Sequence, residues 1–90
     1  MTLNDVIFID NLPTLDLHGF DRLTASILIN DFISENCFLK QEIVVIIHGI
    51  GSGIIYNETR NTLRKNKNVL DFKTFYQNNG CTIVKLKIDR

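Results

Sequence analysis

Ninety residues, 44% hydrophobic and 22% charged, allow one globular domain and argue against a disordered chain. No apolar run approaches the roughly 20 residues that cross a bilayer, and the N-terminus MTLNDVIFID carries Asp5 and Asp10 where a secretory leader would carry bases. Formal net charge is zero, but residues 1–42 are acidic on balance and residues 43–90 basic, which fits either a nucleic-acid face or ordinary solvated charge.

In chain order, DVIFI (5–9) reads as a short extended segment, broken by Asn11 and Pro13. LDL (15–17) alternates apolar and polar residues as a half-buried strand does, and Gly19 ends it. Asp21 reads as the N-cap of a helix running to about Asn36. Its core stripe is Ala25, Leu28, Ile29, Phe32 and Ile33. Leu23 and Ile27 fall roughly opposite that stripe, as an apolar pair that is either innocuous or a weak self-association or partner surface. IVVII (43–47) is a continuous β-branched run suited to a central buried strand. A glycine loop follows, then a helix over about 53–66 with Ile55, Thr59 and Leu63 on one side. Val69 opens a strand to about Tyr76, NNG (78–80) reads as the turn, and CTIVKLKI (81–88) forms the last strand. The order is β-α-β-α-β-β, with the first two main strands parallel and the last two an antiparallel hairpin. The class is α+β, an α/β sandwich. Cys37 and Cys81 form no CxxC pair and read as free thiols of a cytoplasmic protein rather than zinc ligands.

Chemistry concentrates at two His-Gly pairs. Asp16 and His18 stand two apart on a strand, so both point to one side, and a carboxylate beside an imidazole suits a general acid or base. Taken alone, the pair favours a structural reading over a catalytic one. His48 ends the second strand as His18 ends the first. With these strands parallel, both emerge at the sheet edge where open α/β folds bind ligands. Gly49, Gly51 and Gly53 then lead into a helix N-terminus, whose N–H groups suit an anion. The stretch is neither GxGxxG nor a P-loop, since no GK[ST] follows. Ser52 reads as a phosphate contact rather than a nucleophile.

LDLHG (15–19), HGIGSG (48–53) and GCTIVKL (80–86), in this order and spacing, resemble the small MutS-related, or Smr, domain over about residues 14–88. The resemblance divides the chain into an N-terminal extension, 1–13, and a domain, 14–90. It implies a four-stranded mixed sheet with two helices on one face, like the C-terminal domain of translation initiation factor three. It further implies binding or nicking of DNA, or cleavage of RNA, in DNA repair, recombination or ribosome rescue. Asp16 and His18 become the cleavage candidates, with His48 as a second proton-transfer group. His48, Gly49, Ile50, Gly51, Ser52 and Gly53 become the phosphate-contact loop. Ile50 departs from the family, which often has lysine there, and Glu58 adds a negative charge soon after the loop. Arg60, Arg64, Lys65 and Lys67 would compensate if they flank the site.

Two functional classes follow: an endonuclease, or a non-catalytic module that binds DNA, RNA or the ribosome. No acidic cluster marks a metal site, although one Asp could help hold Mg²⁺. No membrane partner is expected, and the chain is read as a monomer or weak homodimer.

Overall fold

Short β-branched runs separated by glycine, asparagine and one proline produce six main elements. The structure, a computed structural model, describes residues 2–88. Met1, and the last two residues of the expected 14–90 domain (Asp89 and Arg90), lie outside the described residues. The elements are β1 (Thr14–Asp16), α1 (Arg22–Phe38), β2 (Ile43–Ile47), α2 (Ile54–Lys65), β3 (Val69–Phe75) and β4 (Asn78–Leu86). They form one mixed sheet in the order β1-β2-β4-β3. β1 runs parallel to β2, with Asp16 opposite Ile47, and β4 runs antiparallel to both β2 and β3. The expected α+β class and element order are both present.

The alternation of each strand divides the core in two. Val44, Ile46, Val84 and Leu86 face the helices and pack on Ala25, Ile29, Ile33 and Leu63. Ile43, Val45, Cys81 and Ile83 face the other way. Val44, Val45 and Ile46 are fully buried, so each contributes roughly 1.5–3 kcal/mol of apolar transfer free energy. Leu28 and Phe32, expected in the α1 stripe, are only partly buried and flank the cluster.

The face opposite the helices is covered by the N-terminal segment. Leu3 and Val6 are buried against the second cluster, with Ile9 and Leu12 packed beside them. Of the extended segment expected over 5–9, Asp5 falls in a turn while the Val6 backbone is extended. Leu3–Asp5 is a single 3-10 turn, and residues 6–9 join no sheet. The apolar residues were legible, but their job is to cover Val45 and Ile83 with side chains rather than to add a ladder.

Two boundaries moved for local reasons. α1 continues to Phe38 rather than Asn36 and closes with Lys40 in the left-handed region (φ +59°). Gln41 N–H donates to the Asn36 carbonyl and Lys40 N–H to the Cys37 carbonyl, the two bonds of a Schellman cap. No glycine marks this stop, so the sequence is silent there. The β3–β4 turn is Tyr76-Gln77, not NNG. Phe75 pairs with Asn78 and Thr74 with Thr82, so Asn79, Gly80 and Cys81 form a bulge within the hairpin. Asn78 Oδ1 accepts the Gly80 N–H, which spends the asparagine on the bulge. No described helix is long and apolar enough to cross a membrane.

Candidate nucleic-acid interface

Because β1 and β2 are parallel neighbours, both of their C-terminal ends, and the N-termini of both helices, meet at one edge of the sheet. A cavity of about 320 Å³ opens there, lined by Asp16, His18, Phe20, His48, Gly49 and Gly51 among others. A second cavity of about 190 Å³ lies within the loop 48–56 itself. The predicted cleavage candidates and the glycine loop are therefore brought together.

Asp16 and His18 are both exposed, but their relation differs from the expected carboxylate–imidazole pair. Asp16 Oδ1 accepts the backbone N–H of His18 at 2.9 Å. The strand ends at Asp16 and the chain turns toward Gly19, so the short aspartate side chain reaches its own backbone first. Asp16 also makes its charge felt on the sheet face away from the helices. Burial, and then the Asp16 charge, push the buried Cys81 thiol up.

His48 is held from both sides. Nδ1 lies 2.8 Å from the Gly49 carbonyl oxygen, which can only accept, so Nδ1 is assigned the proton. Nε2 then accepts from the Thr82 hydroxyl at 2.8 Å. Tyr56 packs edge-on against the ring at 5.0 Å. Burial pushes the imidazole below its ordinary value; the Gly49 bond opposes this and the Arg60 charge adds to it. In this arrangement both ring nitrogens of His48, the expected second proton-transfer group, are engaged by Gly49 and Thr82, and the ring anchors the loop.

The loop is also tied to the sheet. His48 and Gly49 N–H groups both donate to the Gly80 carbonyl, at 2.9 and 3.0 Å. Gly49 and Gly53 have φ of +77° and +88°, where a side chain is strained. Gly53 is the N-cap of α2 and supplies no side-chain cap, leaving the first-turn N–H groups at the loop. Gly51 differs, because its φ is not positive and its surroundings are open. Nothing in the fold requires a glycine at that position. Ile50 and Ser52 are exposed on the same loop.

The predicted basic flank is only partly present. Arg60 lies between Tyr56 and Phe72, its guanidinium carbon 5.6 and 5.2 Å from the two ring centroids. Arg64 donates to Asn61 in the last turn of α2, about 15 Å along the helix from its start at 1.5 Å per residue. Lys65 and Lys67 lie at or beyond that same end of α2. Glu58 accepts from Thr62, one turn on in α2, and lies 3.8 Å from Arg22 of α1. Arg22, on the first turn of α1, is an exposed cation near this edge that sequence reading did not single out. Thr82 was missed too, because its role depends on a partner 34 residues away.

Among the described residues, no three of His, Cys, Asp and Glu gather as a metal-ligand set. Among the described residues, Asp16 is the one carboxylate lining the larger cavity. A Mg²⁺ ion there would take one protein oxygen from Asp16 and the rest from water and substrate phosphate.

A family model described as Smr domain matches residues 15–87. Among curated proteins, Endonuclease MutS2 of Streptococcus suis (strain 05ZYH33) is 37% identical over 76 residues, covering 81% of this chain and 10% of that protein. Endonuclease MutS2 of Aquifex aeolicus (strain VF5) is 38% identical over 77 residues, covering 82% and 10%. The chain thus spans about a tenth of the length of these relatives. The crystal structure of the Smr domain of Thermus thermophilus MutS2 superposes with a TM-score of 0.81 at 26% identity, covering 83% of this chain and 98% of that one. YdaL, a stand-alone small MutS-related protein from Escherichia coli, shares the fold with a TM-score of 0.78 at 20% identity, covering 82% and 63%.

Proposed function

The chain belongs to the Smr domain family, and from that premise we propose that it binds nucleic acid at the β1–β2 edge and cleaves phosphodiester bonds there. The observation that carries this reading is the shared cavity, lined by Asp16, His18 and the glycine loop at the C-terminal ends of two parallel strands. The relatives of similar sequence are named endonucleases, although the match covers only 10% of their length.

In this reading the loop N–H groups and the start of α2 hold the phosphate and stabilise charge that develops on it. Gly51, which the fold does not require as glycine, leaves room for the ligand to approach the backbone. The exposed His18 imidazole is the proton-transfer group. Asp16 orders the His18 backbone and so fixes where the ring starts. His48 acts indirectly by pinning the loop between Gly49 and Thr82.

The test is His18→Ala, assayed on structured RNA and on nicked or branched DNA. Loss of cleavage with retained binding is expected. Unchanged cleavage removes His18 from the mechanism.

A second reading has its own support. Asp16 Oδ1 already accepts from backbone, and both nitrogens of His48 are engaged, which leaves His18 as the imidazole disposed for proton transfer. A non-catalytic binding module would need no more than the loop. It predicts salt-sensitive binding without turnover by either the wild type or His18→Ala.

A further inference from the structure

The two cavities at the candidate edge are continuous in their lining: both include His48, Gly49, Gly51 and Ile55. Sharing these residues, the two cavities flank one wall, and together their linings run from the α2 loop to Phe20. Phe20 is 44% exposed and belongs to neither core cluster. Ile50 and Ile54, 73% and 57% exposed, lie along the loop end. The fold keeps a large aromatic ring wet at the mouth of its candidate site without needing it for packing.

Charge points the same way. Among the described residues lining either cavity there is no lysine or arginine. Duplex binding draws its affinity chiefly from cations that neutralise phosphates and release counterions. This edge offers backbone N–H groups for one phosphate, and an aromatic face. In a duplex the base faces are stacked on one another and cannot reach that ring. An unpaired base can. The larger cavity is at the lower end of the roughly 300–1,000 Å³ typical of small-ligand sites, suited to a single nucleotide rather than a helix.

We propose that this edge takes an unpaired nucleotide, its phosphate at the glycine loop and its base stacked on Phe20. Phe20 would then select single-stranded or looped segments over duplex. This rests on the nucleic-acid reading above and narrows it.

The test is fluorescence anisotropy with labelled oligouridylate, oligothymidylate and a short duplex, using wild type, Phe20→Leu and Phe20→Trp. Wild type should bind the unpaired strands more tightly than the duplex. Phe20→Leu keeps an apolar side chain but loses the π face, so strand binding should weaken by about 5- to 150-fold, the usual effect of losing one stacked base. Phe20→Trp should restore it. Equal wild-type affinity for strand and duplex overturns the proposal while leaving nucleic-acid binding intact. No binding to any of the three overturns both. Unchanged strand binding by Phe20→Leu also overturns it. So does loss of a dimer in sedimentation with strand binding unaffected, which would assign the face to contact between copies.

Discussion

Replacing Thr82 by valine tests whether His48 is an anchor. Thr82 is fully buried, and its hydroxyl lies 2.8 Å from His48 Nε2. Valine has nearly the same shape, so no cavity opens and the change isolates the hydroxyl. The net hydrogen bond is worth about 0.5–1.5 kcal/mol, and leaving the half-buried Nε2 unpaired costs part of a further 1–3 kcal/mol. Burying a methyl instead of a hydroxyl offsets some of this, so a loss of about 1–2 kcal/mol is expected. For a domain of this size that lowers the thermal midpoint by about 4–16 °C. Circular dichroism melts read it, and nitrogen chemical shifts of the His48 ring read the lost bond directly. A cycle with His48→Gln should show coupling of about 1 kcal/mol. If Thr82→Val melts with the wild type and the ring shifts do not move, the hydroxyl is not donating and the anchor argument fails.

The neutral His48 ring is favoured in the folded chain, because burial pushes its proton affinity below the ordinary value. The stability this contributes is fully present above the unfolded value of about pH 6.5 and is lost as pH falls through the lower folded value. Urea midpoints should therefore drop on acidification below about pH 6.5, less steeply in His48→Gln. The loop glycines should separate by role. Gly53→Ala forces a side chain into φ +88° and should cost about 1–2 kcal/mol, measured by denaturant unfolding. Gly51→Ala should leave stability within about 1 kcal/mol of wild type yet weaken oligonucleotide binding; unchanged binding would mean the ligand does not approach Gly51. Leu23 is 72% exposed, so Leu23→Glu should shift stability by no more than about 0.5 kcal/mol; unfolding would place Leu23 in the core.

Much of the sheet was legible because it rests on period and punctuation. IVVII suits a central buried strand and forms one, and Asp21 caps α1 by accepting the Thr24 N–H. Parallel pairing of β1 and β2 followed from the handedness of the crossover and brought LDLHG and HGIGSG to one edge. Leu23 and Ile27 were placed outside by helical geometry and are exposed.

Features that depend on long-range partners were not legible. A glycine-free Schellman cap at Lys40 leaves no composition signal. NNG is turn-forming in isolation, but pairing with β2 draws Gly80 into a bulge whose carbonyl holds His48 and Gly49. The segment before Pro13 shows its apolar residues but not the sheet face they cover. Local sequence thus determined the elements, their order and which residues reach the candidate edge. Tertiary structure decided what each side chain does there. Asp16 turns to backbone, His48 is locked by Thr82, Arg60 lies between two rings, and Phe20 is left free. Hydrogen-bond partners and packing neighbours are set by distance in space, and short-range patterns carry no record of it.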